Sequence, residues 1–164
     1  MSIFITNTGR YIAVFLLAAG LLTGCSGLRP YPDTLPGNMR IVTETDSGSV
    51  FSKVRAAVDI YSVNPDCTTD YEGTVQLNGP SIEVGIPPGK LSYTVFVFSN
   101  SSFLANSRSS ISHATLLKPR AGYVYDVKVS YIDDIYNVDI RETHPRKSAS
   151  RTIELKDLSS CSSH

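Results

Sequence analysis

Along Tyr123–Tyr131, the residues Tyr123, Tyr125, Val127, Val129 and Tyr131 alternate with Val124, Asp126, Lys128 and Ser130. A period of two puts one set on each face of a pleated ribbon, so this segment predicts a half-buried strand. Beyond Asp133-Asp134, which reads as a tight turn, the alternation continues with Tyr136, Val138 and Ile140 against Asn137, Asp139 and Arg141. Lys53–Val63 sets Val54, Ala56, Val58 and Ile60 against Arg55, Asp59 and Tyr61, and its β-branched residues favour a strand over a helix. Asn64-Pro65-Asp66 then breaks the chain. Leu91–Phe98 is apolar on both faces in its second half, as expected of a strand central to its sheet.

Shorter strands are expected at Ser81–Ile86, Ile111–Leu117 and Arg151–Leu155. Turns fall at Pro87-Pro88-Gly89-Lys90 and Pro119-Arg120-Ala121-Gly122, where Pro presets φ and Gly admits positive φ. The Ser-rich stretch Ser99–Ser112 reads as a long polar loop. Phe103 and Leu104 in its middle are a candidate binding pair, or else fold back to cap the core. No segment after residue 63 carries a helical period, and there is no internal repeat. Seven or eight short strands separated by turns predict an all-β fold, an antiparallel β-sandwich of Ig-like or transthyretin-like type.

Two N-terminal segments depart from this pattern. Tyr11–Leu22 is an unbroken apolar run of 12 residues behind a polar leader containing Arg10. A spanning helix needs about 20 apolar residues, so the run suits the hydrophobic region of a signal peptide, here a signal helix over residues 1–24. Ser26–Asn38 carries Pro30, Pro32 and Pro36. With Cys25 it reads as a tether over 25–38, reaching up to about 40 Å if extended, or as an arm lying against the sheet. The sandwich domain then occupies 39–164.

Leu22-Thr23-Gly24-Cys25 closes the apolar run. It resembles the lipobox of bacterial lipoprotein precursors. That resemblance implies cleavage before Cys25, a diacylglyceryl group on its thiol and acylation of the new amine. Lipid chains contribute about 0.8 kcal/mol per buried CH₂, so several of them hold a small domain firmly to a membrane. In that family an Asp after the Cys is a retention signal for the inner membrane. Ser26 stands there instead, which implies an outer-membrane, periplasm-facing location. A second resemblance covers roughly 54–142. Ile86-Pro87-Pro88-Gly89-Lys90, followed by Pro119-Arg120-Ala121-Gly122-Tyr123-Val124-Tyr125, is similar to a diffuse group of small proteobacterial lipoproteins that share an I-P-x-G-K turn and a P-x-A-G-x-x-Y segment. Pro88 and Arg120 fall at variable positions of that pattern and receive no role from it.

Composition narrows the function. Of the 15 Lys and Arg, only Arg10 lies in the leader, which leaves 14 against 15 Asp and Glu. Such a balance argues against nucleic acid as a partner. Removal of Cys25 from the count of three leaves Cys67 and Cys161. In an oxidising compartment an even remainder suggests a disulfide, which would tie down the Ser-rich C-terminal tail.

His113, His144 and His164 are not spaced as metal ligands, and Asp133-Asp134 is better explained as a turn than as a calcium site. The chain has no Gly-x-Ser-x-Gly, Ser-x-x-Lys, Cys-x-x-Cys or phosphate-binding glycine loop. Arg141, Arg146, Lys147 and Arg151 gather near the C-terminal connection, where they could meet anionic headgroups or an acidic partner. The expectation is a non-enzymatic, lipid-anchored envelope protein without a cofactor beyond its covalent lipid. It would contact the membrane through the anchor, and an envelope protein or peptidoglycan through its domain. Two more specific versions are a type VI secretion accessory lipoprotein of transthyretin-like fold and a periplasmic toxin-immunity lipoprotein.

Overall fold

A computed structural model describes residues 28–45, 52–102, 107–133, 135–147 and 149–162. The leader, the lipobox with Cys25, the pair Phe103 and Leu104, Asp134 and His164 lie outside the described residues. Among the described residues nine strands follow in order: β1 (Met39–Thr45), β2 (Ser52–Val63), β3 (Thr69–Leu77), β4 (Ser81–Val84), β5 (Ser92–Ser102), β6 (Ser107–Leu117), β7 (Val124–Ile132), β8 (Ile135–Thr143) and β9 (Ser150–Ile153). They form two sheets, ordered β4-β1-β7-β8-β9 and β3-β2-β5-β6, packed face to face as an all-β sandwich. Each pairing is antiparallel except β1 with β7, which run parallel. The expected antiparallel sandwich is present, with β1–β7 as its one parallel strand pairing among the described residues.

The core is made of the residues that the alternation selects. Ala56, Val58 and Ile60 of β2, Phe96 and Phe98 of β5, Tyr125, Val127 and Val129 of β7, and Val138 and Ile140 of β8 are all buried. Met39 and Ile41 of β1 join them. β5 lies between β2 and β6, the central position its apolar second half predicts.

One sequence expectation needs correction, and two strands were not anticipated. Ser99–Ser112 is not a long loop: β5 runs on to Ser102 and β6 begins at Ser107, with Ser102 opposite Ser107. Once Phe96 and Phe98 set the register, backbone pairing extends past the core, where serine side chains give no periodic signal. β3 also escapes the hydrophobic pattern. Gly73, Thr74 and Val75 are buried in succession because the arm covers this strand: Thr74 N–H donates to Arg29 O at 2.8 Å and Tyr31 N–H to Thr74 O at 3.0 Å. β1 was not anticipated either, since its core contribution is two residues, Met39 and Ile41.

Of the two readings of 26–38, the arm describes residues 29–38. The Tyr31 hydroxyl donates to Gly85 O at 3.1 Å. The Asn38 side chain brackets Ile86, accepting from its N–H and donating to its carbonyl, both at 2.8 Å.

After β9 the chain crosses to the edge of the other sheet. Leu116 N–H donates to Lys156 O at 2.7 Å, and Lys156 N–H to Thr115 Oγ1 at 3.0 Å. Asp157 caps a 3-10 turn, Leu158–Ser160. Cys161 is joined to Cys67, 94 positions away, in the β2–β3 connection. This is the pairing that counting cysteines suggests.

Candidate functional site

The turns Pro87–Lys90 and Pro119–Gly122, far apart in sequence, meet at one end of the sandwich. Gly89 and Gly122 take φ of 77° and 76°, conformations in which a Cβ would be strained. Gly89 N–H donates to Pro119 O at 2.7 Å. The following residue, Arg120, is held on three sides. Its backbone N–H donates to the Tyr125 hydroxyl at 2.8 Å, and its carbonyl accepts from Tyr123 N–H at 3.2 Å. Its guanidinium lies 3.8 Å from the centre of the Tyr123 ring, whose edge in turn meets the His144 ring at 4.9 Å.

Arg120 points at Glu142. Cross-strand register places Tyr125, Glu142 and Arg151 side by side on β7, β8 and β9. Glu142 is 3% exposed, so its carboxylate needs partners to compensate for lost water. Arg120 Nε donates to Oε1 at 2.8 Å and an Nη–H to Oε2. The Tyr125 hydroxyl donates to Oε1 at 2.5 Å, and an Arg151 Nη–H to Oε2 at 3.1 Å.

The electrostatics follow. The hydrogen bond from Arg120 outweighs desolvation and holds the Glu142 carboxyl down at about 2. Arg120 is itself raised, first by that same hydrogen bond. Burial, and then the bond to Glu142, raise the Tyr125 phenol. A carboxylate so saturated with donors is a poor proton acceptor, so this cluster is built to fix structure and present charge rather than to move protons.

The cluster forms the floor of a cleft of about 680 Å³, bounded by Leu91, Leu116–Lys118, Arg120, Arg151–Glu154, Lys156 and residues 160–162. The basic residues near the C-terminal connection do not act as one patch. Arg151 joins Glu142, while Arg141 projects from the opposite face and pairs with Asp139 at 3.1 Å. Arg120, which the sequence pattern left without a role, is the central cation. Its only signal was a place two residues before Gly122 in a turn.

Elsewhere, His144 Nδ1 accepts from Arg146 N–H at 3.2 Å. His113 Nε2 is buried without a partner. Among the described residues no group of three or more His, Cys, Asp or Glu is placed to hold a metal ion. Comparison with known proteins finds no matching family, no similar curated protein and no similar solved structure.

Proposed function

We propose that this protein is a lipid-anchored component of a bacterial cell envelope with a non-enzymatic, structural or binding role. The observation that carries the reading is Leu22-Thr23-Gly24-Cys25 at the end of a 12-residue apolar run. A Cys at that point, with a small residue before it, matches the chemistry of thioether lipidation followed by cleavage. The Cys67–Cys161 disulfide supports it, because such bonds persist in exported proteins and are rare in the cytosol. The saturated state of the Glu142 carboxylate favours a scaffold over a catalyst.

Intact mass analysis of the protein from native membranes tests this. The expected species begins at Cys25 and carries acyl mass, and Cys25→Ala accumulates as an uncleaved precursor. A species beginning at Met1 without lipid, recovered from the soluble cytosolic fraction, overturns the reading.

A further inference from the structure

We propose that the cleft floored by Glu142 binds the carboxylate of a peptide through Lys118, Arg120, Arg151 and Lys156. These four cations line the cleft with two acids, Glu142 and Glu154. The chain as a whole is balanced, with 15 basic and 15 acidic residues, so this end of the sandwich carries a local positive surplus. One guanidinium suffices to neutralise Glu142. Glu154 offsets one more cation, so two positive charges remain over, and neither lysine forms an ion pair among the described residues.

The arginines are also preorganised. Glu142 holds both guanidiniums by the same oxygen, Oε2, and the Tyr123 ring backs Arg120. Their side chains line the cleft and stay 50% and 68% exposed, so N–H groups not used on Glu142 remain open to a ligand. A fixed fork of donors matches the two coplanar oxygens of a carboxylate, and prior fixation lowers the entropic cost of binding.

Leu91, Leu116 and Ile153 add apolar surface to the lining beside the cations. That surface suits the side chain of the residue bearing the carboxylate and distinguishes a peptide from a bare inorganic anion. The carboxylate could come from a peptide chain end or from an Asp or Glu side chain. The inference goes beyond the envelope reading and does not depend on the lipid anchor.

Calorimetric titration of the full chain tests it with four probes: acetyl-Ala-Leu as the free acid, acetyl-Ala-Leu amide, acetyl-Ala-Asp amide and inorganic phosphate. The free acid is expected to bind about tenfold more tightly than acetyl-Ala-Leu amide. Equal binding of acetyl-Ala-Asp amide assigns the site to acidic side chains, and weaker binding assigns it to chain ends; either outcome supports a carboxylate site. The double variant Lys118→Gln/Lys156→Gln leaves the Glu142 network intact and should weaken the acid about tenfold at unchanged melting temperature. Arg151→Gln, which retains the Arg120–Glu142 pair, should weaken it similarly. Equal affinity for acid and amide, an unchanged affinity in the double variant, or tighter binding of inorganic phosphate than of either carboxylate overturns the proposal. So does no heat from the free acid up to about 10 mM.

Discussion

Arg120 Nε donates to Glu142 Oε1 at 2.8 Å across 22 positions of sequence, tying the β6–β7 turn to β8. This bond makes stability depend on acid pH. The Glu142 carboxyl falls from 4.5 to about 2 on folding. A folded value below the unfolded one contributes stability that is fully present above the unfolded value. It is lost as the pH drops from 4.5 toward about 2. Urea midpoints should therefore fall between about pH 6 and about pH 3. Glu142→Gln should lower the midpoint at the higher pH and narrow the gap between the two. Identical pH slopes in both proteins would assign acid sensitivity to other carboxylates.

Tyr125→Phe removes one hydroxyl that serves two partners, Arg120 N–H and Glu142. Its ring is 1% exposed and keeps its packing in the variant. The expected cost is about 1–3 kcal/mol, that of leaving buried polar groups short of a partner. Denaturant unfolding measures it. A cost near zero would mean that water replaces the hydroxyl.

Cys67→Ala/Cys161→Ala opens a loop with a sequence separation of 94. Chain entropy alone assigns such a crosslink about 4–5 kcal/mol. The variant should lose a large part of that in denaturant unfolding. Hydrogen exchange at the Leu116 amide, which donates to Lys156 O, should rise by more than global destabilisation accounts for, because the tail is then held by few contacts. Exchange there that tracks global unfolding alone would show that the crossing segment stays docked without the bridge.

Gly73→Ala tests the docking of the arm. A Cβ at Gly73 would stand 2.6 Å from Tyr31 Cα, and the obstacle is backbone. Either the arm lifts or β3 shifts, at about 1–3 kcal/mol. Faster hydrogen exchange at the Tyr31 and Thr74 amides, with slow exchange retained in β5, would identify the arm as the part that yields. Unchanged exchange at both amides would rule out the clash.

The strands legible in sequence were, together with the doubly apolar central strand β5, those with one buried and one exposed face. β7 shows this most plainly, with Tyr125, Val127, Val129 and Tyr131 buried between exposed Val124, Asp126 and Lys128. β3 was illegible because its edge is covered by the arm, so burial there runs through consecutive residues. The tips of β5 and β6 were illegible because serines extend a ladder whose register Phe96 and Phe98 determine. The ion cluster shows the same limit. Glu142 occupies a core-facing position of β8, a visible anomaly, but nothing local says that the guanidinium in the β6–β7 turn answers it.

Periodicity and turn chemistry are properties of near neighbours, and so the all-β class and the main core residues could be read from the amino-acid order alone, whereas the cysteine count only suggested a Cys67–Cys161 bridge that the fold closes. The parallel seam between β1 and β7, the docking of the arm on β3 and the convergence of Arg120 and Arg151 on Glu142 belong to the folded molecule. Each joins segments whose meeting depends on how the two sheets stack. A buried charge selects its partner by distance in space, and that distance exists only once the sandwich has closed.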